Sequence, residues 1–240
     1  MATPALGTLY LIPVPLGDDT LTSVLPADVI ATAQRLTHFI VEAPKTARAM
    51  LKVFGTPHEL RSLWMQELNE HTKDNELDAL LQPLLAGNDV GLMSEAGCPG
   101  VADPGANLVR LAHTRGIRVA PLVGPSSILL ALMAAGANGQ KFRFNGYLPT
   151  QDAERIDAIR KLELESQKQR QAELFIETPY RNGALFDALL ASLKPGSQLT
   201  VACDITTASE FIKSQTVATW RKGPKPNLHK RPTVFVIYAG

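Results

Sequence analysis

The sequence has few cysteines, few aromatic residues and no marked excess of charge of either sign. Among its 240 residues, only Cys98 and Cys203 are cysteines, aromatic residues make up 6%, and the formal net charge is +1. Two cysteines without a CxxC pair argue against a disulfide scaffold and a cysteine-ligated zinc module. The near-neutral charge gives no general attraction to nucleic acid, although it is compatible with a local basic patch.

Long apolar runs are also missing. The longest, at residues 128–135, is far shorter than the roughly 17–25 residues that cross a bilayer. The N-terminal residues show neither the positive segment nor the apolar run of a signal peptide. The five histidines are scattered, and none forms a zinc-protease pair. We therefore expect a cytoplasmic protein with no membrane partner and no metal site.

Strand-like and helix-like segments alternate up to Gly136. Apolar, β-prone runs occupy residues 9–12, 38–41, 89–93 and 117–120. The segments between them have the lengths and caps of helices, which predicts βαβ units and a mostly parallel sheet with helices on both faces. The helix expected at residues 127–135, capped by Ser126, is apolar nearly all round and is expected to be buried.

The composition changes after Gly136. Residues 137–150 contain several turn formers, which predicts a linker. The remaining sequence has more strand and fewer crossovers, which predicts a second α/β domain with a mixed sheet. The expected domains are residues 1–140 and 141–240.

Three loops that follow predicted strands are rich in glycine, proline or serine. They read Pro-Val-Pro-Leu-Gly-Asp at residues 13–18, Ser-Glu-Ala-Gly-Cys-Pro-Gly-Val-Ala-Asp-Pro-Gly at residues 94–105, and Gly-Pro-Ser-Ser at residues 124–127. Ligands of open parallel sheets bind outside the carboxyl ends of the strands, so three such loops on one edge predict a shared pocket. Each loop alone is equally explained as a tight turn.

The motifs of several common enzyme classes are absent. The sequence contains no GxGxxG fingerprint, no P-loop and no GxSxG nucleophile elbow. Gly-Pro-Ser-Ser would also fit a serine nucleophile, but no histidine can be assigned to it. Free amides at the predicted helix that starts at Ser127 would suit a carboxylate instead.

The three loops resemble the signatures of the tetrapyrrole methylase superfamily, the class III S-adenosylmethionine-dependent methyltransferases. Residues 9–18 are similar to its opening segment, residues 94–105 to its second signature and residues 124–127 to its third. Asn69-Glu70 and the Gly-Tyr-Leu-Pro junction at residues 146–149 resemble the branch that methylates a ribose 2′-hydroxyl of small-subunit ribosomal RNA. The resemblance covers essentially the whole chain.

The resemblance implies two α/β domains, a cofactor cleft between them and a homodimer. It implies S-adenosylmethionine as the cofactor and RNA of the small ribosomal subunit as the partner. The residues that it assigns to the cofactor are Leu16, Gly97, Cys98, Val101, Ser126, Ser127, Ile176, Ala202, Pro232 and Thr233.

Two carboxylates are candidates for catalysis. A hydroxyl acceptor needs a base for its proton, and Glu42 and Glu95 are expected near strand ends that face the pocket. Alternatively, each caps a helix or pairs with Lys45 or Arg48. The branch has Glu-Asp-Thr-Arg where this chain has Glu-Ala-Pro-Lys from Glu42 onward. It also has Ser-Asp-Ala-Gly-Thr-Pro where this chain has Glu95 and Cys98. Cys98 is interpreted as a small replacement for threonine.

Other functions stay open at this point. Residues 220–231 hold Trp220, five basic residues and no acid, which is typical of a phosphate-binding segment with a stacking aromatic or of a solvated loop. The altered acceptor-side residues also fit a methyltransferase for a tetrapyrrole or another small-molecule acceptor. A non-catalytic paralogue that binds the cofactor is the third possibility.

Overall fold

The structure, a computed structural model, describes residues 5–17 and 21–240. Asp18, the last residue of the first loop, lies outside the described residues. The chain divides into two compact units, up to Pro125 and from Ser126 onward, whereas the expected boundary lies after residue 140. The helix at Ser127–Ala135 accounts for this difference because it packs on four strands of the second sheet.

The first unit contains a five-stranded parallel sheet. Its strands are β1 (Thr8–Leu11), β2 (His38–Val41), β3 (Trp64–Glu67), β4 (Val90–Met93) and β5 (Arg118–Pro121). They lie in the order β3-β2-β4-β1-β5, and every neighbouring pair is parallel. All five strands therefore end at the same edge, and the predicted parallel sheet is confirmed.

Helices cover both faces of this sheet. They are α1 (Leu21–Val24), α2 (Ala27–Arg35), α3 (Pro44–Phe54), α4 (Leu77–Leu80), α5 (Gln82–Leu85) and α6 (Gly105–Thr114). Side chains of β2 alternate between two hydrophobic clusters, since Phe39 and Val41 pack with α2 and α3 whereas Ile40 packs with α4, α5 and α6. The predicted helix over residues 77–85 is broken between α4 and α5, because Pro83 cannot donate the backbone hydrogen bond that would continue it.

The second unit contains a five-stranded mixed sheet. Its strands are β6 (Phe142–Tyr147), β7 (Ala172–Ile176), β8 (Gln198–Cys203), β9 (Phe211–Thr216) and β10 (Thr233–Tyr238). The order is β6-β7-β10-β8-β9, with β6 and β7 parallel and the other pairs antiparallel. The predicted mixed sheet is confirmed. The predicted linker over residues 137–150 is wrong, because its middle, Phe142–Tyr147, forms the edge strand β6.

Helices of the second unit are α7 (Ser127–Ala135), α8 (Asp152–Gln169), α9 (Asn182–Ser192) and α10 (Val217–Lys222). The last three pack around the main hydrophobic cluster on one sheet face. On α7, the side chains of Ala131, Leu132 and Ala135 are buried. The expectation that α7 is buried holds for Ala131, Leu132 and Ala135 only, since Leu129 is 51% and Met133 is 77% exposed. Among the helices of the described residues, none has the length and apolar character needed to cross a membrane.

Trp220 belongs to the core of the second unit. The predicted strand over residues 211–220 ends at Thr216, whose hydroxyl accepts the Thr219 N–H and begins α10. The Trp220 indole N–H donates to the buried Leu199 carbonyl at 2.8 Å, and its ring lies edge-on to Phe186. The indole is only 2% exposed, so the expectation that it stacks on a nucleobase is wrong.

Candidate functional site

A two-way backbone bridge joins the first loop to the second. These loops follow β1 and β4, which are neighbours in the sheet. The Val14 N–H donates to the Gly97 carbonyl at 2.9 Å, and the Gly97 N–H donates to the Val14 carbonyl at 3.1 Å. Gly97 has φ +73°, and a Cβ there would lie 3.3 Å from Leu16 Cδ2. Both the conformation and the close approach therefore favour glycine.

The third loop joins the other two. The Cys98 thiol donates to the Pro125 carbonyl at 3.3 Å, and burial raises the pKa of this thiol, so it keeps its proton at neutral pH. A Cβ on Gly124 would lie 2.3 Å from Cβ of Pro13, so a side chain at residue 124 would collide with the first loop. The three loops singled out in the sequence thus meet at one edge of the first sheet, and Pro125 leads directly into Ser126.

An aspartate shapes the far end of the second loop. Asp103 Oδ1 accepts the N–H groups of Gly100 at 2.6 Å and Gly105 at 2.8 Å. These bonds close the turn that presents Val101, whose side chain is half exposed. Asp103 thus links Gly100 in the loop to Gly105, the first residue of α6.

Ser126 and Ser127 lie at the N-terminus of α7, as predicted. Ser126 Oγ accepts the Leu129 N–H at 3.4 Å, and its carbonyl accepts the Leu130 N–H at 2.9 Å. The first amides of a helix have no acceptor within the helix, so those of the first turn point outward. A negatively charged group is favoured at such a position.

Glu42 and Glu95 are close together at the edge of the first sheet. Glu42 follows β2, and its Oε2 accepts the backbone N–H of Glu95 at 3.1 Å. Burial is the largest influence on the pKa of Glu42 and raises it, whereas the Glu95 hydrogen bond lowers it. The charges of Glu95, Asp103 and Glu70 raise this pKa further, and the net shift is upward.

The alternative roles of these carboxylates find no support among the described residues. Neither Glu42 nor Glu95 forms an ion pair with Lys45 or Arg48 there. The exposed Glu95 side chain instead accepts the Thr46 hydroxyl of α3 at 3.2 Å. Nothing in the sequence pointed to Thr46, because it reaches the edge only through the packing of α3.

The second-unit residues assigned to the cofactor lie at one edge of their own sheet. In strand register, Val234 is opposite Ile176 on one side and Ala202 on the other. Thr233 is opposite Cys203, and the Pro232 carbonyl accepts the Asp204 N–H at 2.9 Å. Ala202 and Thr233 are buried whereas Pro232 is exposed.

Comparison with known proteins identifies the family. The sequence profile of the Tetrapyrrole (Corrin/Porphyrin) Methylases matches residues 8–220. A protein of Neisseria meningitidis serogroup B named ribosomal RNA small subunit methyltransferase I is 33% identical over 211 residues, which are 88% of this chain and 68% of that protein. A protein of the same name from Escherichia coli O157:H7 is 28% identical over 231 residues, covering 96% of this chain and 77% of that protein.

Solved structures share the fold. The crystal structure of the methyltransferase CobJ superposes with a TM-score of 0.64 at 18% identity, covering 97% of this chain and 94% of that chain. That of the cobalt precorrin-4 methyltransferase CbiF gives a TM-score of 0.61 at 13% identity, covering 96% and 94%. The predicted pair of α/β sheets and the resemblance stated from the three loops are both confirmed, and the chain belongs to the tetrapyrrole methylase family of methyltransferases.

Proposed function

We propose that this chain is an S-adenosylmethionine-dependent methyltransferase that modifies a ribose 2′-hydroxyl of small-subunit ribosomal RNA. The observation that carries the proposal is the meeting of the three loops around Gly97. The names of the relatives support the choice of ribosomal RNA as acceptor. The chain would then act in the cytoplasm, where ribosomal RNA is modified in bacteria.

The residues around Gly97 fit the proposed methyl donor. Gly97 and Cys98 offer backbone and a small side chain, while Leu16 and Val101 add apolar surface. The outward amides near Ser127 suit the carboxylate of the donor. In the second unit, Ile176, Ala202, Pro232 and Thr233 are the proposed contacts.

S-adenosylmethionine supplies a methyl group that is already activated by its sulfonium, so the protein mainly has to hold the acceptor in line with it. We assign the removal of the acceptor hydroxyl's proton to Glu42, because a raised pKa makes a carboxylate a stronger base. Glu95 positions Glu42 through its backbone N–H and adds negative charge beside it. Its own side chain is exposed, so it is the weaker candidate for base.

The proposal also includes a homodimer. Leu129 and Met133 lie one turn apart on α7 and are exposed although both are large and apolar. Adjacent exposed apolar side chains on a helix are typical of a surface that a partner covers.

The acceptor is tested by incubating the protein with methyl-labelled S-adenosylmethionine and small ribosomal subunits that lack the modification. We expect label in small-subunit RNA, recovered after nuclease digestion as a 2′-O-methylated nucleoside. Label found instead in a tetrapyrrole or another small molecule from a cell extract would support the small-molecule alternative. Binding of the donor with no transfer to any fraction would indicate a non-catalytic paralogue.

Replacement of Gly97 tests the donor site. Gly97→Ala places a Cβ at positive φ beside Leu16, so we expect the dissociation constant for S-adenosylmethionine to rise at least about tenfold, or about 1.4 kcal/mol. Titration calorimetry measures it, and Gly139→Ala is the matched control because a Cβ there meets nothing within 4 Å. Equal affinities of Gly97→Ala and the wild type for S-adenosylmethionine would show that Gly97 is not part of the donor site.

Glu42→Gln tests the base. The pKa of Glu42 is raised, so we expect the wild-type rate to increase with pH through that pKa and then level off. Glu42→Gln should lower the rate by about 100-fold or more and remove this increase of the rate with pH. Glu95→Gln should have a smaller effect and keep the increase. If the rate of Glu42→Gln still increased with pH in the same way, the assignment would be contradicted.

Unfolding in urea tests whether the loss of activity in Glu42→Gln comes from a loss of stability. Because the pKa of Glu42 is raised in the folded state, its stabilising contribution is fully present below the unfolded pKa and is lost as pH rises through the folded pKa. Above the folded pKa, ionised Glu42 makes the fold less stable than the protonated form would, so the uncharged Glu42→Gln variant should be at least as stable as the wild type there.

Met133→Glu tests the homodimer. We expect sedimentation analysis to show a wild-type dimer and a variant shifted towards monomer, because a carboxylate would be buried at an apolar contact. Ala153→Glu on the exposed start of α8 serves as the control for added charge. A monomeric wild type at micromolar concentration would contradict the proposal.

A further inference from the structure

Two exposed tyrosines lie at the edge of the second sheet where β7 and β8 end. Both strands are antiparallel to β10, and β6 is parallel to β7, so the ends of β6, β7 and β8 share this edge with the start of β10. Tyr147 is the last residue of β6, and Tyr180 follows β7 by a short turn. Neither tyrosine has a role in the function proposed above.

A bulge in β6 positions Tyr147. The register between β6 and β7 shifts between Phe144 and Tyr147, where Gly146 has φ +65°. Beyond the shift, Tyr147 is opposite Ile176 at the end of β7. Bulges commonly redirect a side chain at a strand end, and the Tyr147 side chain is 60% exposed here.

Tyr180 is held in place yet remains open to solvent. Its ring lies edge-on to His229 with centroids 6.0 Å apart, and Lys230 Nζ is 5.7 Å from the ring centroid. The Lys230 N–H donates to the Pro179 carbonyl at 3.0 Å, which ties the two loops together. The tyrosine is nevertheless 70% exposed, so much of its ring surface is accessible.

Arg181 follows the same strand end as Tyr180. It follows Tyr180 in the chain and donates to Glu177 Oε1 at 2.7 Å. This hydrogen bond is the main cause that raises the pKa of Arg181. Its side chain remains 44% exposed, so a partly exposed cation lies at the same strand ends as the two accessible rings.

The basic segment at residues 220–231 supplies fewer free cations than its sequence indicates. Arg221 donates to the Leu190 and Leu193 carbonyls at the C-terminal end of α9. Lys225 pairs with Asp187 and Arg231 pairs with Asp204. Trp220 is buried, and the exposed rings of Tyr147 and Tyr180 lie outside this segment. Lys230, over the Tyr180 ring, is the lysine of the segment that reaches this cluster, beside His229.

We propose that Tyr147 and Tyr180, together with Arg181 and Lys230, form a platform on which unpaired bases of the RNA acceptor stack. Aromatic rings interleaved with cations suit single-stranded nucleic acid, because rings stack on bases while the cations attract phosphates. The Glu177 carboxylate is buried against Arg181, so the exposed charge is positive, which disfavours an apolar protein segment. The exposed rings favour RNA over an acidic protein segment, because bases stack on them. The platform rests on the proposed function, since it takes the RNA of that same reaction.

The test compares Tyr147→Ala, Tyr180→Ala, Tyr147→Phe and Tyr180→Phe with the wild type. Phe142→Ala is the matched control, because Phe142 is an exposed aromatic at the opposite end of β6. The dissociation constant is measured for a single-stranded RNA and for a duplex of the same sequence. Methyl transfer to small-subunit RNA and S-adenosylmethionine affinity are measured in parallel.

We expect each alanine variant to weaken single-stranded RNA binding by about tenfold and to raise KM for RNA with little change in kcat. The phenylalanine variants and Phe142→Ala should resemble the wild type, and donor affinity should be unchanged throughout. Unchanged RNA binding in both alanine variants, equal losses for duplex RNA, or loss of donor binding would each overturn the platform.

The outcomes separate the platform from the reaction. A wild type that binds RNA through the tyrosines but methylates none would contradict the proposed function and keep the platform. Alanine variants that methylate RNA with the same efficiency as the wild type would contradict the platform alone. Variants that bind free RNA normally but no longer bind intact small subunits would indicate that the tyrosines contact a ribosomal protein, and this result would overturn the proposal.

Discussion

The backbone bridge between Val14 and Gly97 is the constraint on which the candidate site depends. Parallel pairing brings the ends of β1, β4 and β5 to one edge, but it does not by itself bring their loops into contact. The bridge fastens the first two loops to each other, and the Cys98 thiol extends the connection to Pro125. Gly97 and Gly124 allow these contacts because a side chain at either position would meet another loop. The result is a surface built mainly of backbone and small side chains.

The electrostatics of the same edge suit a reaction that removes a proton. Glu42 is surrounded by other carboxylates and by a partly dry environment, so the fold raises its pKa instead of neutralising it with a lysine or an arginine. A purely structural carboxylate is usually paired with a cation. Glu42 receives one backbone N–H from Glu95, which fixes its orientation and lowers its pKa by less than burial raises it.

Much of the fold was predictable because its signals are local. Short apolar runs bounded by glycine and proline identified most strands, and the predicted bounds of the helix at Ser127–Ala135 match the structure. The edge strand β6 was missed because its side chains are largely exposed, so it carries no buried-strand pattern. Trp220 was misplaced because its burial depends on Phe186 and Leu199, which are distant in sequence.

The candidate site was predictable in its loops and less so in its chemistry. Glycine, proline and the family signature indicated which loops matter, because close backbone approach restricts the residue types allowed. The difference between Glu42 and Glu95 could not be predicted, since it arises from burial and from charges on other loops. The exposed tyrosines were also missed as a pair, because only the sheet register brings Tyr147 to the end of β7.

A crystal structure of the protein with S-adenosylhomocysteine, the product of methyl transfer, tests the central claim most directly. The account predicts that the ligand contacts Leu16, Gly97 and Cys98, with its carboxylate at the start of α7. A ligand bound elsewhere, with the bridged loops empty, would contradict the account.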